Sequence, residues 1–524
     1  MLVYKVFCII LLALHAAASS HGSDCTTQSP STAACVNAVN LRDEFACRLH
    51  HPGNGNFTVW DGKQQEVQSA CRVEPSTAED VSKILATLVY HWCPFAVKSG
   101  GHAQNANDSV SVGGVTIDLN LINHIEVAHD QQTVDVGSGS TIYDIYHSLE
   151  VFNLTTIGAR VADVGIGGFA LGGGISNLAP KYGLAVDNIL QYEVCLKTTG
   201  AEDFVSRPFY LTYQIRQIVL PNATIVYANE TQHPDLYFAL RGGMNNFGIV
   251  TRFTMHAFHQ PEGLISQTEK IFSLTQKDAV TDEAFQLTTA WKNDTNMAFY
   301  YFFSYNPVAD HFVLAFSEIY TQPILEPAPF EGLRQIPYES KTARIERMST
   351  LSLEAASRTP SGNRNLFATV AYYPSARMDR HIMEIIEEEI EPVKKMAGFL
   401  SNVMFQPLYE NAVRAGRERG GNALGIEAKG PLTVCILSAT WSSRQDDDAV
   451  NSFVQRWIQR VNTTTTQAGI HHDWIYINNA YHQQDPFSGY GQHNKETLIA
   501  IQNSIDEFGV FTSQGLCRGG FKLR

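Results

Sequence analysis

Positive charge is scarce in this sequence. Its 38 lysines and arginines are outnumbered by 52 aspartates and glutamates, which gives a formal net charge of -14 over 524 residues. Phosphate backbones and anionic lipid head groups would repel such a surface, and no basic run reverses it locally. We therefore expect neither nucleic acid nor a membrane as a partner.

Long apolar runs are missing after the N-terminus. The opening "MLVYKVFCIILLALHAAASS" has Lys5, a short apolar stretch and then small residues, which is typical of a secretory signal peptide over residues 1–20. No later stretch reaches the roughly 18 apolar residues of a membrane span. Seven Asn-x-Ser/Thr sequons agree with a secreted glycoprotein; they lie at Asn56, Asn107, Asn153, Asn222, Asn229, Asn293 and Asn462.

Cysteine pairs at C-x-x-C spacing are also absent, so no metal site is predicted. The cysteines that follow the signal crowd toward the N-terminus instead. In an oxidising compartment they are disulfide candidates whose connectivity the sequence leaves open. These candidates are Cys25, Cys35, Cys47, Cys71 and Cys93.

What the sequence does contain is glycine in two conspicuous loops. "STAEDVSKILATLVYHW" predicts a helix capped by Ser76 or Thr77, and "CPFAVKSGGH" predicts a buried strand that enters a glycine turn before His102. The second loop, "IGARVADVGIGGFALGGGISNLAPKYGLAVDNI", lacks side chains over a long stretch. Such backbone suits close approach to a pyrophosphate or a flat ring.

Two simpler interpretations compete with a cofactor site. The histidine after the glycines could belong to a purely structural turn. A nicotinamide-binding Rossmann unit would need the glycines to open a helix straight after the first strand, with an acidic residue about 20 positions later. Asp187 is available, but "KYGLAVDN" does not resemble the second strand of that unit.

Five segments together resemble a known family. "VKSGGHAQNANDS", "DVGIGGFALGGGISNLAPKYGLAVDN", "DLYFALRGGMNNFGIVTRF", "YINNAYHQQDPFSGYGQHN" and "GVFTSQGLCRGGFKL" are similar to those of fungal berberine bridge enzyme-like oxidases. That group belongs to the vanillyl-alcohol oxidase superfamily of FAD enzymes. The resemblance covers nearly all of the mature chain, in order.

The resemblance implies a covalent flavin. In that family the histidine of the S-G-G-H motif is bonded through its ring to the 8α-methyl of the flavin, and here that residue is His102. Some relatives add a second bond from a cysteine, but residues 157–189 contain none, so a single histidyl bond is expected. The implied cofactor-binding residues are Val97, Lys98, Ser99, Gly100, Gly101, His102, Ala103, Gln104, Gly158, Val164, Gly165, Gly168, Gly174, Ile249 and Asn478.

The resemblance also implies two residues with roles in the reaction. Val164 matches a position where a small residue admits dioxygen, which favours an oxidase that makes hydrogen peroxide; simple core packing is the alternative. Tyr476 matches the tyrosine of a Y-x-N strand and is the candidate base or substrate anchor, if neighbouring groups lower its pKa. The strand "LTVCILSATW", where some relatives carry the acid or base, has no carboxylate, lysine or histidine.

The expected fold class is α+β, with a two-lobed FAD-binding domain of the vanillyl-alcohol oxidase type. We place its first part at residues 60–260 and its C-terminal completion at residues 470–524. A substrate domain at residues 261–469 is expected to hold an antiparallel sheet backed by helices, because "MAFYYFFSY" and "HFVLAFSEIY" alternate as strands and "DRHIMEIIEEEIEPVKKM" and "DDDAVNSFVQRWIQRV" have helical periodicity.

The predicted function is a secreted FAD-dependent oxidase that removes hydride from a hydroxyl-bearing carbohydrate or secondary metabolite. The partners would be that small molecule and dioxygen, and the protein would be a monomer. A flavin-carrying binding or vestigial protein without turnover is the alternative. The family uses one flavin platform for many substrates, so the substrate is not identified.

Residues 194–217, "VCLKTTGAEDFVSRPFYLTYQIRQ", lack the strand pattern of the segments on either side of them. Relatives connect a strand like "NILQYE" almost directly to one like "IVLPNATIVYAN", whereas this chain inserts 24 residues. Val194-Cys195 can be encoded by GTATGT, a splice donor, Leu211-Thr212 can contain CTGAC, a branch point, and Gln217 can be CAG, an acceptor. We predict a translated intron, which should form an irregular excursion with few core contacts between two strands that would meet without it. A genuine surface loop, such as a lid, is the alternative.

Overall fold

The chain was analysed as a computed structural model, which describes residues 30–40, 42–53, 57–197, 223–290, 294–427 and 429–524. Within these residues the strands are β1 (Leu49–His50), β2 (Cys71–Val73), β3 (Phe95–Lys98), β4 (Val115–Asp118), β5 (Ile125–Val127), β6 (Thr133–Gly137), β7 (Leu154–Thr155), β8 (Ile189–Lys197), β9 (Ala223–Ala228), β10 (Ile249–His256), β11 (Phe258–His259), β12 (Leu264–Phe272), β13 (Met297–Asn306), β14 (His311–Tyr320), β15 (Ser340–Arg347), β16 (Arg364–Tyr372), β17 (Leu400–Leu408), β18 (Leu432–Trp441) and β19 (His471–His472).

The helices of the same residues are α1 (Pro30–Asn40), α2 (Gly62–Gln65), α3 (Ala78–Tyr90), α4 (Ile142–Glu150), α5 (Ile166–Leu171), α6 (Ala179–Tyr182), α7 (Pro234–Leu240), α8 (Lys277–Thr289), α9 (Glu331–Gln335), α10 (Met348–Ser357), α11 (Ala376–Glu389), α12 (Glu410–Glu418), α13 (Asp447–Gln467), α14 (Pro486–Gly489) and α15 (Gln492–Ile505).

A four-stranded sheet carries the first glycine loop. Its order is β1-β2-β4-β3, and β3 and β2 both lie parallel to β4. Helix α3 packs on it, and the Thr77 side chain caps that helix by accepting from the Asp80 N–H, which confirms the predicted capped helix. The chain returns here at its C-terminus, where the Phe95 N–H donates to the Leu516 carbonyl at 2.9 Å.

A five-stranded antiparallel sheet of order β5-β6-β10-β8-β9 holds the second glycine loop against its core. The loop runs from α4 through α5 to β8. Asp187, the acidic residue that a Rossmann unit would aim at a ribose, is instead buried and lies 3.4 Å from the guanidinium of buried Arg241.

An eight-stranded antiparallel sheet forms the remaining layer, in the order β15-β12-β14-β13-β17-β18-β16-β19. Side chains alternate along each strand, so one face packs on helices α8, α11 and α13 through residues such as Phe299 and Tyr301. The opposite face, with Ala298 and Tyr300, packs toward the second glycine loop. The predicted antiparallel sheet backed by helices is confirmed, and the fold class is α+β as expected.

Three sequence predictions need correction. Helix α11 ends at Glu389, earlier than the predicted helical pattern, because the chain turns at Ile390 before Pro392. Tyr476 does not lie in a strand; it is the N-cap of a short 3-10 helix over Ile477–Asn479. Residues 194–197 are no irregular excursion, since they complete β8 with buried Val194 and Cys195, whereas residues 198–222 lie outside the described part of the chain.

The disulfide candidates have different outcomes. Cys35 and Cys93 are bonded. Cys47 is exposed and unpaired among the described residues, and Cys71 is a free thiol there, buried in β2, where burial raises its pKa to about 12. Cys71 was therefore a wrong candidate, because strand β2 directs it into the apolar core. Cys25, the predicted signal and the sequons at Asn56, Asn222 and Asn293 lie outside the described residues.

Candidate active site

The two glycine loops touch each other through their backbones. A Cβ atom on Gly100 would overlap the backbone nitrogen of Gly165, and one on Gly165 would overlap Gly100 in return. Ser99 reinforces this contact, because its hydroxyl donates to the Ser138 carbonyl at 2.6 Å and accepts from the Gly167 N–H at 3.2 Å. Glycine is therefore required at both positions for the loops to meet.

His102 projects from the first loop at this junction. Its ring stacks on Trp60 with a centroid separation of 4.2 Å and an interplanar angle of 10°. The Nε2 atom is buried and has no hydrogen-bond partner among the described residues; Asp163 Oδ1, at 3.4 Å, lies in ion-pair range without hydrogen-bond alignment. The ring is therefore positioned by stacking and by a neighbouring carboxylate rather than by a hydrogen bond of Nε2.

Asp163 comes from the second glycine loop and remains 49 % exposed. Burial acts to raise the pKa of its carboxyl group, but the proximity of His102 outweighs burial and lowers that pKa. The carboxylate is therefore an ionised neighbour of the imidazole. Sequence analysis missed this role, although Asp163 lies in the segment that carries the resemblance.

The structure brings most of the predicted loop residues to this junction. The first loop contributes Ser99, Gly100, Gly101, His102 and Ala103, and the second contributes Val164, Gly165 and Gly168. A Cβ atom on Gly168 would meet nothing within 4 Å, whereas one on Gly174 would overlap the Ala185 side chain. Gly168 therefore borders open space, and Gly174 serves close packing.

Other predicted cofactor-binding residues use their side chains for contacts within the protein. Val97 and Lys98 lie in β3, and the buried Lys98 ammonium pairs with Asp118 at 3.0 Å. Gln104 donates to the Ala480 carbonyl at 2.8 Å and accepts from the Phe367 N–H, so it ties the first loop to the eight-stranded sheet.

Gly158 and Ile249 also serve packing. A Cβ atom on Gly158 would press on the Tyr146 hydroxyl. The side chain of Ile249 is buried in the apolar core that α3 forms with the four-stranded sheet. For both residues, any contribution to a ligand would come from the backbone.

Tyr476 and Asn478 reach the second glycine loop from the C-terminal part of the chain. The Tyr476 hydroxyl accepts from the Ile175 N–H at 2.9 Å. Asn478 Nδ2 donates to the carbonyls of Gly168 and Phe169 at 3.1 and 3.2 Å, and its Oδ1 atom is buried without a partner among the described residues. These contacts place both side chains at the site.

The environment of Tyr476 differs from the prediction. Burial raises the pKa of its phenol to about 12, and the Ile175 hydrogen bond and the charge of Arg160 reduce this rise only in part. The condition for a base, a lowered pKa, is therefore not met. Since the hydroxyl accepts from a backbone N–H, its own proton remains available for donation.

A cleft opens between the second glycine loop and the eight-stranded sheet. Ile175, Ser176 and Asn177 line one side, and Tyr300, Gln406 and Leu408 line the other. Arg160, which belongs to the second glycine loop, contacts the sheet side of this cleft: its guanidinium donates to Gln406 Oε1 at 2.9 Å, and its Cζ atom lies 4.7 Å from the centroid of the Tyr300 ring. No sequence pattern singled out Arg160, Gln406 or Tyr300, because their proximity depends on tertiary packing.

We also searched the described residues for groups of metal ligands and for membrane-spanning helices. Within the described ranges, no three histidine, cysteine, aspartate or glutamate side chains are grouped as metal ligands. None of the helices described is both long enough and apolar enough to cross a bilayer.

Comparison with known proteins agrees with this geometry. The model of the FAD binding domain family matches residues 69–201, which contain both glycine loops. An FAD-dependent monooxygenase of Aspergillus calidoustus is 32 % identical over 464 residues, which cover 87 % of this chain and 83 % of the relative.

Solved structures share the fold at low identity. Xylooligosaccharide oxidase from Myceliophthora thermophila superposes with a TM-score of 0.72 and 17 % identity, covering 94 % of this chain and 100 % of its own. Glucooligosaccharide oxidase from Acremonium strictum, which has a 6-S-cysteinyl, 8α-N1-histidyl FAD, gives 0.71 and 14 %, with coverages of 93 % and 99 %.

Proposed function

This chain belongs to the FAD-dependent oxidoreductases of the vanillyl-alcohol oxidase and berberine bridge enzyme-like type, and from that premise we propose that it is a secreted oxidase of a hydroxyl-bearing small molecule. The substrate, a carbohydrate or a secondary metabolite, would lose hydride from carbon and a proton from its hydroxyl, which leaves a carbonyl. Dioxygen would accept the two electrons and two protons and leave as hydrogen peroxide.

One observation supports the proposal best: the His102 ring, stacked on Trp60, lies where the backbones of two glycine loops meet. The ring is held by Trp60 but not saturated with hydrogen bonds. By analogy with the Acremonium strictum oxidase, the bond to flavin would form at Nδ1 of His102. A single bond is proposed because residues 157–189 contain no cysteine.

The residues present fit a flavin. Gly168 borders open space, and Asn478 presents an unpartnered Oδ1 atom beside it. His102, Gly100, Gly101, Gly165 and Gly168 would hold the cofactor, with Asn478 on the same side. FAD would supply a two-electron acceptor, which side chains alone cannot provide.

Tyr476 would anchor the substrate. Its phenol stays protonated at neutral pH, because burial raises its pKa to about 12. Since the Ile175 N–H already donates to it, the hydroxyl proton can be donated to a substrate oxygen. That bond would orient the reacting carbon in the cleft and exclude water from it.

Secretion is part of the proposal. Three observations support secretion: the N-terminal signal pattern, the Cys35–Cys93 disulfide and the exposed sequons at Asn107 and Asn153. A covalent bond would also suit an exported enzyme, since flavin lost outside the cell cannot be recaptured.

The test uses the purified full-length protein and its His102→Ala variant. Flavin should precipitate with the wild-type protein in acid, but stay in the supernatant of the variant. The wild-type flavin should bleach without oxygen in a screen of oligosaccharides and phenolic alcohols, and peroxide should form in air. A yellow protein that no substrate bleaches would favour the alternative, a flavin carrier without turnover, and a colourless protein would overturn both.

A further inference from the structure

Resting on the proposed function, we infer that Arg160 selects a substrate that carries an anionic oxygen on an aromatic ring, a phenolate or an aromatic carboxylate. A neutral carbohydrate would then be a poor substrate. The basis is the contact of Arg160 with two residues that line the cleft, Gln406 and Tyr300, the lack of a carboxylate partner for Arg160 among the described residues, and the composition of the cleft walls.

Arg160 is held in place by uncharged groups. Its Nη1 atom donates to the amide oxygen of Gln406, and its guanidinium lies over the ring of Tyr300. Both contacts orient the guanidinium plane without neutralising its charge. A planar group fixed in this way still has N–H donors to offer to a carboxylate or phenolate oxygen.

Counter-charge is missing around this arginine. Across the described ranges, no aspartate or glutamate oxygen lies within 4.0 Å of Arg160, whereas the buried arginines Arg72, Arg241 and Arg364 all have carboxylate partners. A half-buried cation without an anion has lost part of its hydration without compensation. A bound anion would supply that compensation.

The walls of the cleft favour a flat, largely apolar molecule. They combine the rings of Tyr300 and Tyr409 with the aliphatic side chains of Ile175 and Leu408. Neutral polar side chains are limited to Ser176, Asn177 and Gln406 besides the tyrosine hydroxyls, and the lining residues include no carboxylate. A sugar would bury many hydroxyl groups here with few partners, which is unfavourable.

Arg160 also acts on the proposed anchor, because its positive charge partly offsets the rise that burial causes in the pKa of Tyr476. The anionic oxygen and the reacting hydroxyl of one substrate could therefore be held by neighbouring groups. Arg160 would be a specificity-determining residue, and Tyr476 would contact the reacting end.

The experiment measures binding of matched probes to the flavin-loaded protein by calorimetry. Benzoate is compared with neutral benzamide, and 4-nitrophenolate with neutral 4-nitroanisole, so the two arms separate carboxylate from phenolate recognition. Cellobiose represents neutral carbohydrates. Loss of a charge-assisted hydrogen bond is worth about 10- to 100-fold in affinity, so Arg160→Gln should weaken at least one anion by this factor and leave both neutral probes unchanged.

Two controls keep the result interpretable. Arg160→Lys retains the charge and should recover part of the preference for the anion, even if Arg160→Gln folds poorly. Arg456→Gln, on α13 behind the helix-covered face of the sheet, should change nothing. The flavin spectrum of each sample shows that it is loaded.

The outcomes separate the two proposals. The inference is overturned if the wild type binds anions no better than the neutral probes, if the preference survives Arg160→Gln, or if cellobiose binds more tightly than either anion. A wild-type protein that never acquires flavin would overturn the proposed function, and with it this inference.

Discussion

The Nε2 atom of His102 lies 3.4 Å from Oδ1 of Asp163, and each residue belongs to a different glycine loop. If His102 bonds flavin through Nδ1, this carboxylate faces the opposite ring nitrogen. It would favour the tautomer with hydrogen on Nε2, which leaves the Nδ1 lone pair available.

Asp163→Asn should therefore slow covalent attachment of FAD. Replacing the carboxylate by a neutral amide removes a partly exposed, solvent-screened ionic interaction worth about 0.5–1 kcal/mol, which corresponds to roughly a two- to fivefold slower reaction. The measurement is the fraction of flavin that precipitates with apoprotein at successive times after FAD is added. Asp163→Glu should retain most of the rate; an unchanged rate in Asp163→Asn would exclude a role for the carboxylate.

Gly100→Ala and Gly168→Ala form a matched pair. The first adds a methyl group against the backbone of Gly165 and should destabilise the flavin-free protein by about 1–3 kcal/mol. The second adds it to open space in helix α5, where alanine is favoured over glycine by about 0.5–1 kcal/mol, so flavin-free stability should not fall. FAD binding to Gly168→Ala should nevertheless weaken, because the flavin would occupy that space.

Thermal unfolding of apoprotein and equilibrium titration with FAD distinguish these effects. If Gly168→Ala binds FAD as tightly as the wild type, the flavin does not lie against Gly168.

Tyr476→Phe should lower the rate of flavin reduction by about tenfold or more, as expected when a hydrogen bond to a reacting oxygen is lost, without weakening flavin binding. Because the phenol has a pKa of about 12, wild-type reduction should show no ionisation of Tyr476 between pH 6 and 9. Stopped-flow spectra recorded without oxygen give both results. A rate that rises with pH in the wild type and stays flat in Tyr476→Phe would restore the base assignment.

Val164→Leu should slow reoxidation of the reduced flavin while reduction by substrate is unaffected. The half-buried Val164 directly precedes Gly165, so a larger side chain would narrow the approach from the junction of the loops. We expect about a tenfold effect, equivalent to about 1.4 kcal/mol in barrier height. The rate is measured by mixing reduced enzyme with oxygenated buffer, and equal oxygen rates would remove Val164 as a gate.

The spliced transcript is predicted to lack the 24 codons of residues 194–217. Removal would join Glu193 directly to Ile218, the first residue of "IVLPNATIVYAN". Ile218 would then take the place of Val194 opposite Val226, and the pairing register of β8 with β9 would be unchanged. Three residues, 221–223, would then form a short hairpin loop. Sequencing the messenger RNA tests this, and peptides from residues 198–217 in secreted protein would show that the segment is genuine.

Sequence patterns were informative wherever one strand or helix determined the outcome. The strands around Phe299 and Phe316 and the cap at Thr77 follow from alternation and capping chemistry alone. The position of Tyr476 in a 3-10 helix and its raised pKa were not predictable, because both depend on burial against residues far away in the chain. Arg160 lies 246 residues before Gln406, and only packing brings them together.

The two faces of the eight-stranded sheet have different tasks: residues on one face line the cleft, and residues on the other face stabilise the fold. Tyr300 of β13 and Gln406 of β17 face the cleft, while their neighbours Tyr301 and Phe405 are buried against helices. Cleft-facing positions can therefore change without disturbing the apolar core beneath them. Evolution, or a directed library restricted to these two positions, could redirect the enzyme to new substrates at little cost in folding stability.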